Sequence, residues 1–225
     1  MPRSIVLFFF TSLFLFSCHK AEKDLNFHYT YFPLDKGHYV TYNVLQVEHD
    51  FVAHPIPDTF KYQLKVKIGD EVLDNLGKSA KEYFRYLRAN SSVAWNATDL
   101  WTVVLDSDRL ELTEENQRKI KLIFIPTSKK SWNSNVYIPL PEQNCTYSNI
   151  HKPFTNQFLV FDSTLVVNQE KNTNFIQHKL KFEIYAKKVG LVKLYYKDLE
   201  INNFDTLNIK KGTELYYDAT GFGIE

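Results

Sequence analysis

In several stretches of this chain, apolar and polar residues change places at every step. Tyr62, Leu64, Val66 and Ile68 alternate with Lys61, Gln63, Lys65 and Lys67. Leu180, Phe182, Ile184 and Ala186 repeat the pattern against Lys179, Lys181, Glu183 and Lys187, and Ile120, Leu122 and Phe124 repeat it around Lys121. Successive side chains of a strand point to opposite faces, so a period of two marks a strand with one face buried and one in water. The pattern places the apolar members inside and the lysines outside. Val40-Tyr42-Val44, Tyr83–Leu87, Leu100–Leu105, Arg109–Leu112, Phe158–Val167, Leu191–Tyr196 and Thr213–Tyr217 are further strand candidates. Phe175–Lys188 is long enough for a helix, but it alternates better than it follows a 3.6-residue period. Tyr and Phe number 14 and 18 against 7 Gly and 8 Pro, which also favours strands. Asp106-Ser107-Asp108 and Lys171-Asn172-Thr173-Asn174 read as turns. The expectation is an all-β fold: a single antiparallel meander sheet that curls into a barrel or half-barrel to bury its apolar face, with a β-sandwich as the alternative.

The first residues read differently. Arg3 gives a positive start, Ile5–Phe16 an apolar run, and Ser17 a small residue beside a cut. That is the layout of a secretory signal peptide. The run is too short for a bilayer-spanning helix, which needs about 20 residues. Leu15-Phe16-Ser17-Cys18 resembles the lipobox of bacterial lipoproteins, although Phe16 is bulkier than that motif usually carries. The resemblance implies a lipidated Cys18. An ordinary secretory signal with a chance cysteine and a short uncleaved anchor are the alternatives. The expected organisation is a signal peptide over 1–17, a lipidated cysteine with a polar tether over 18–27, and one β-rich domain over 28–225.

Composition removes several classes of function. There are 27 Lys+Arg against 26 Asp+Glu, so bulk charge gives no case for nucleic acid. The seven histidines are scattered without metal-ligand spacing, and no metal or cofactor is expected. No nucleophile elbow, phosphate loop or dinucleotide fingerprint is present. The carboxylate pairs Asp106/Asp108 and Glu114/Glu115 lie in polar turns, where solvated charge is the default. Cys145 is left as a lone thiol. It reads as packed into a wall; a nucleophile would need a base, with His151 the nearest candidate by sequence. The lysine rows 61/65/67 and 179/181/187 read as solvated faces, with contact to anionic glycans or lipid headgroups as the alternative. Trp95, Trp101, Trp132, Tyr137, Tyr195 and Tyr196 could line a pocket, and core filling is the expectation for most of them.

Three stretches together resemble an uncharacterised lipoprotein family of Bacteroidetes. They are Tyr31-Phe32-Pro33-Leu34-x-x-Gly37-x-Tyr39-Val40-x-Tyr42, Lys130-Ser131-Trp132-Asn133, and Tyr185-Ala186-Lys187-Lys188-Val189-Gly190-Leu191-Val192. In the last, Lys188 stands where a glycine is expected. The resemblance implies a location in the bacterial cell envelope, at the outer membrane, and a fold class; it implies no catalytic residues. It also gives meaning to Asp162-Ser163-Thr164 and Asp205-Thr206-Leu207, which match a periplasmic O-glycosylation pattern, with Thr206 the better acceptor because 202–205 reads as a loop. The functional expectation is a non-catalytic protein with a binding or assembly role at the membrane surface, its partner an envelope protein, a glycan or a lipid. A carrier holding a lipid or apolar ligand on a concave sheet is the alternative, and an enzyme built on Cys145 a remote one. The oligomeric state stays open.

Overall fold

The computed structural model describes residues 27–225. The signal segment, Cys18 and all of the tether except Phe27 lie outside the described residues. A single 3₁₀ turn, Tyr29–Tyr31, precedes twelve strands: β1 (His38–Asp50), β2 (His54–Leu73), β3 (Ser79–Arg88), β4 (Asn96–Asp106), β5 (Arg109–Glu114), β6 (Gln117–Ile123), β7 (Ser131–Asn133), β8 (Asn144–Thr155), β9 (Val160–Thr173), β10 (Gln177–Ala186), β11 (Gly190–Asn202) and β12 (Asp205–Ile224). They form one sheet in the order β6-β5-β4-β3-β2-β1-β12-β11-β10-β9-β8-β7, antiparallel throughout. Every neighbouring pair is consecutive in sequence except β1 with β12. The sheet is a meander nearly closed into a barrel, as the alternation predicts, and not a sandwich.

The two edges meet through side chains more than through a ladder. Ile120 N–H donates to Ser134 O at 3.1 Å, and the Trp132 indole donates to Ile120 O at 3.1 Å. Tyr147 Oη accepts from Ile123 N–H and donates to Ile123 O, at 2.7 and 2.8 Å. Trp132 and Tyr147 also pack ring to ring, 4.7 Å between centroids. These contacts satisfy backbone groups that an open sheet edge would leave unpaired.

Strands β1 and β2 behave as their alternation predicts. Val40, Tyr42 and Val44 face inward opposite Val66, Leu64 and Tyr62. The N-terminal segment plugs one end of the barrel. Tyr31 is fully buried, and Phe32 packs against Tyr83 and Tyr185, with centroids 6.2 and 6.3 Å away. Beneath this plug the core is filled: the space left among Phe32, Val40, Ile68, Tyr83 and Val189 is about 20 Å³, room for one water.

Strand β10 inverts the expectation. Lys179, Lys181, Glu183 and Tyr185 face the interior, and Leu180, Phe182 and Ile184 take the opposite face. Both faces of this strand are covered, so hydrophobicity alone could not orient it. Outside, Phe182 stacks on Tyr195 at 4.9 Å, and Tyr195 meets Tyr216 edge-on. Inside, the charges are paired across strands. The lysine rows are therefore not simple solvated faces. Lys65 is buried, bound to the Glu225 carboxylate at 2.8 Å and lying over the Tyr39 and Tyr86 rings; Lys67 shares that carboxylate. Lys187 lies over the Tyr31 ring.

Some boundaries also move. The Asp106–Asp108 turn forms where expected, but β9 runs through Lys171 to Thr173, so the following turn falls at 174–176. Strand β8 escapes detection because Asn149 and His151 have positive φ (49° and 58°) and interrupt its alternation with a bulge. Lys188 occupies a left-handed conformation, φ 64°, and its N–H donates to Thr30 O at 2.6 Å. A non-glycine residue there costs about 1–2 kcal/mol, which explains why glycine fits the position. Lys188→Gly should raise stability by up to about 1 kcal/mol after glycine's greater chain entropy is subtracted. A denaturation midpoint that falls would contradict this account of the turn.

Candidate functional site: a charged and aromatic cavity inside the barrel

The end of the barrel away from the plug is open. Strands β1, β2, β9, β11 and β12 are long, β5 and β6 are short, and the loop over 134–143 lies along the short wall. They enclose a cavity of about 840 Å³. Its floor holds an ion pair. Lys121 Nζ lies 2.5 Å from Glu183 Oε1, and the Tyr185 hydroxyl donates to Glu183 Oε2 at 2.6 Å. Burial alone would lower the Lys121 pKa; the charges of Glu183 and Glu114 overcome it and hold the ammonium well above its usual range. Burial, then the Glu183 charge, raises the Tyr185 phenol.

Two aromatic walls face each other above this floor, about half the sheet apart. On β3 and β4, Arg85 bonds Asp99 at 2.9 Å and lies over the Trp101 ring, 4.3 Å from its centroid. Trp101 is in turn nearly parallel to Tyr83, 8° between planes. On β10 and β11, Lys181 bridges Asp198 (3.0 Å) and Glu170 (3.2 Å) and lies 4.6 Å from the Tyr196 ring centroid. Burial would lower the Lys181 pKa, but these partners raise it. Between the walls, Glu114 and Lys119 line the cavity from β5 and β6, and neither forms a salt bridge with another of the described residues. The lining thus supplies flat apolar faces beside fixed donors and acceptors. It contains no histidine or cysteine.

The residues singled out from sequence are dispersed. Cys145 is buried on β8 beside Trp132, and burial pushes its thiol up to about 12. His151 stands six residues further along the same strand, at the plug, where its Nδ1 is 2.7 Å from the Tyr31 hydroxyl. The two do not meet. Asp106 is bound to Lys78, Asp108 to Arg109, and Glu115 to the Trp101 indole. Among the described residues, no group of three His, Cys, Asp or Glu could hold a metal. Trp101 and Tyr196 line the cavity; Trp95 stacks on Arg88 outside, Tyr137 binds Glu111, and Tyr195 belongs to the outer strip. Ser163 is half-buried, with Oγ 3.2 Å from the Tyr31 hydroxyl. Thr206 is exposed beside the Asn203-Phe204 turn, at the start of β12 and not in a loop. Arg85, Lys119, Lys121 and Glu183 were not legible as site residues, because their sequence signal is that of an exposed strand face; Glu114, read as part of a polar turn, instead ends β5 and lines the cavity.

No family model matches the chain, and no curated relative matches it in sequence. Two solved structures resemble it in part. One is a putative exported protein with a YmcC-like fold from Bacteroides fragilis, with 10% identity and a TM-score of 0.42, over 85% of this chain and 98% of that one. The other is a putative lipoprotein from Parabacteroides distasonis, with 11% identity and a TM-score of 0.42, over 86% of this chain and 98% of that one. At these values neither family nor function transfers from them.

Proposed function

We propose that this chain is a non-catalytic lipoprotein of the bacterial cell envelope, anchored through Cys18 at the outer membrane, that binds a small polar ligand inside its barrel. The observation that carries the binding role is the 840 Å³ cavity, which falls within the roughly 300–1,000 Å³ range of small-molecule sites. The anchoring rests on the lipobox-like segment and on the family resemblance of the opening motif. The charged lining favours a polar ligand over the apolar carrier reading, because an acyl chain against the half-buried Glu114 and Lys119 would desolvate them without replacing any hydrogen bond.

Two measurements test this. Protein purified from its native envelope should carry a small molecule that native mass spectrometry detects and that denaturation releases; a ligand-free spectrum together with no stabilisation by any added small molecule would refute the binding role. Cys18→Ser should move the protein from the detergent phase to the aqueous phase. Identical partitioning of wild type and variant would refute the anchor.

A further inference from the structure

We infer that the ligand is a saccharide of one or two rings, held between the Trp101 and Tyr196 walls; this rests on the cavity being a binding site. A pyranose has an apolar C–H face and a rim of hydroxyls that both donate and accept. An aromatic ring that carries a neutralised cation presents a complementary surface: apolar ring carbon directly beside fixed donors and acceptors. The cavity holds two such units. Trp101 carries Arg85, paired with Asp99, over its ring, and Tyr196 carries Lys181, paired with Asp198 and Glu170, over its ring. Because each cation already has a carboxylate, the walls present hydrogen-bonding groups without asking the ligand for a balancing charge. Lys119 and Glu114, one of each sign and outside the salt bridges among the described residues, add a strong donor and a strong acceptor between the walls.

Other classes fit less well. A lipid chain would meet Leu64, Leu112 and Leu194 in the cavity, but also Glu114 and Lys119, whose hydrogen bonds it cannot replace, and the space of about 20 Å³ beneath the plug gives it no dry extension. A polyanion would meet Glu114, Glu170 and Glu183 as well as the lysines. A second copy of the chain or a bulky partner would have to enter past the tall β1–β2 and β11–β12 hairpins, whereas a small ligand fits between them.

The test uses the full chain in detergent micelles. A glycan microarray should show binding, and thermal-shift titration with maltose, cellobiose, lactose and chitobiose, alongside palmitate, a tripeptide and adenosine monophosphate, should show stabilisation by a saccharide alone. Trp101→Ala and Tyr196→Ala should each weaken that binding at least tenfold. Lys119→Met should weaken it without loss of fold, because no salt bridge among the described residues depends on that lysine. Tyr195→Ala, on the outer face, should leave it unchanged. Glycan binding untouched by the cavity variants would overturn the inference. So would stabilisation by palmitate, the peptide or the nucleotide with no glycan bound, and in that case the binding role itself would stand. No response to any probe would remove both.

Discussion

Glu183→Gln is expected to destabilise the domain by about 3–5 kcal/mol, the usual cost of stranding one member of a buried ion pair. Glu183 is 3% exposed, and its carboxylate holds both Lys121 Nζ and the Tyr185 hydroxyl. The amide keeps the shape and one acceptor but cannot balance the ammonium. The double variant Lys121→Met/Glu183→Gln should recover most of the loss, because the charge that needed compensation is gone. Equilibrium denaturation of the two single variants and the double variant gives the coupling directly. If Glu183→Gln costs under about 1 kcal/mol, near the value of an exposed pair, then Lys121 reaches water and the floor of the cavity is not dry. The pair also ties β6, an edge strand, to β10 across the barrel. The loss should therefore appear as opening of the seam, with faster hydrogen exchange at Ile120 and Ile123 than at Val40 or Tyr42.

Tyr31→Ala should cost about 3–5 kcal/mol, the range for removing a large buried aromatic ring. Tyr31 is fully buried, and its hydroxyl contacts His151 Nδ1, Ser163 Oγ and Thr164 O. Tyr31→Phe isolates the polar part and should cost about 1–2 kcal/mol. The larger variant has a second readout. Phe32, the next residue, lines the cavity between Tyr83 and Tyr185. Loosening the plug should weaken ligand binding in Tyr31→Ala but not in Tyr31→Phe. If both variants bind alike while differing in stability, plug and cavity are independent.

The fold was largely legible and the cavity was not. The run from Lys61 to Ile68 could be read because its inner face is apolar and buried while its lysines stay on the outer face, where Glu225 pairs with Lys65 and Lys67, the case period two describes. The same reasoning inverted β10. In a sheet of twelve strands the interior is too wide for side chains to fill, so part of it must be wet, and its lining becomes polar in register with its neighbours. Lys179 and Lys181 look like solvent-facing residues in sequence because they do face solvent, only inside the barrel. The outer face of β10 is apolar in sequence for a different reason: Phe182 is covered by Tyr195, which no local pattern reveals. The Cys145–His151 pairing failed on geometry, since six residues of extended strand separate the two and His151 lies against Tyr31. Gly37 of the opening motif lies in the turn before β1, and the structure supplies the reason for a glycine there. Its φ is 84°, and an added Cβ would fall 2.1 Å from Glu225 O.

The strand order has a mechanical consequence. The free edges of this sheet, β6 and β7, lie far along the sheet from both ends of the described chain, which meet at β1 and β12 in its middle. A pull on Phe27 reaches the plug first and then β1 along its own axis. There the ladder to β2 and the ladder to β12 resist together in shear, and no edge is offered from which strands could be peeled one bond at a time. Gly37 reinforces the point of entry: its N–H donates to Ile68 O and its carbonyl accepts from Glu225 N–H, so both neighbours are fastened at the first residue to bear load. Under the proposed anchoring, the domain can therefore be tugged by a bound ligand without being unzipped from the end that carries the force.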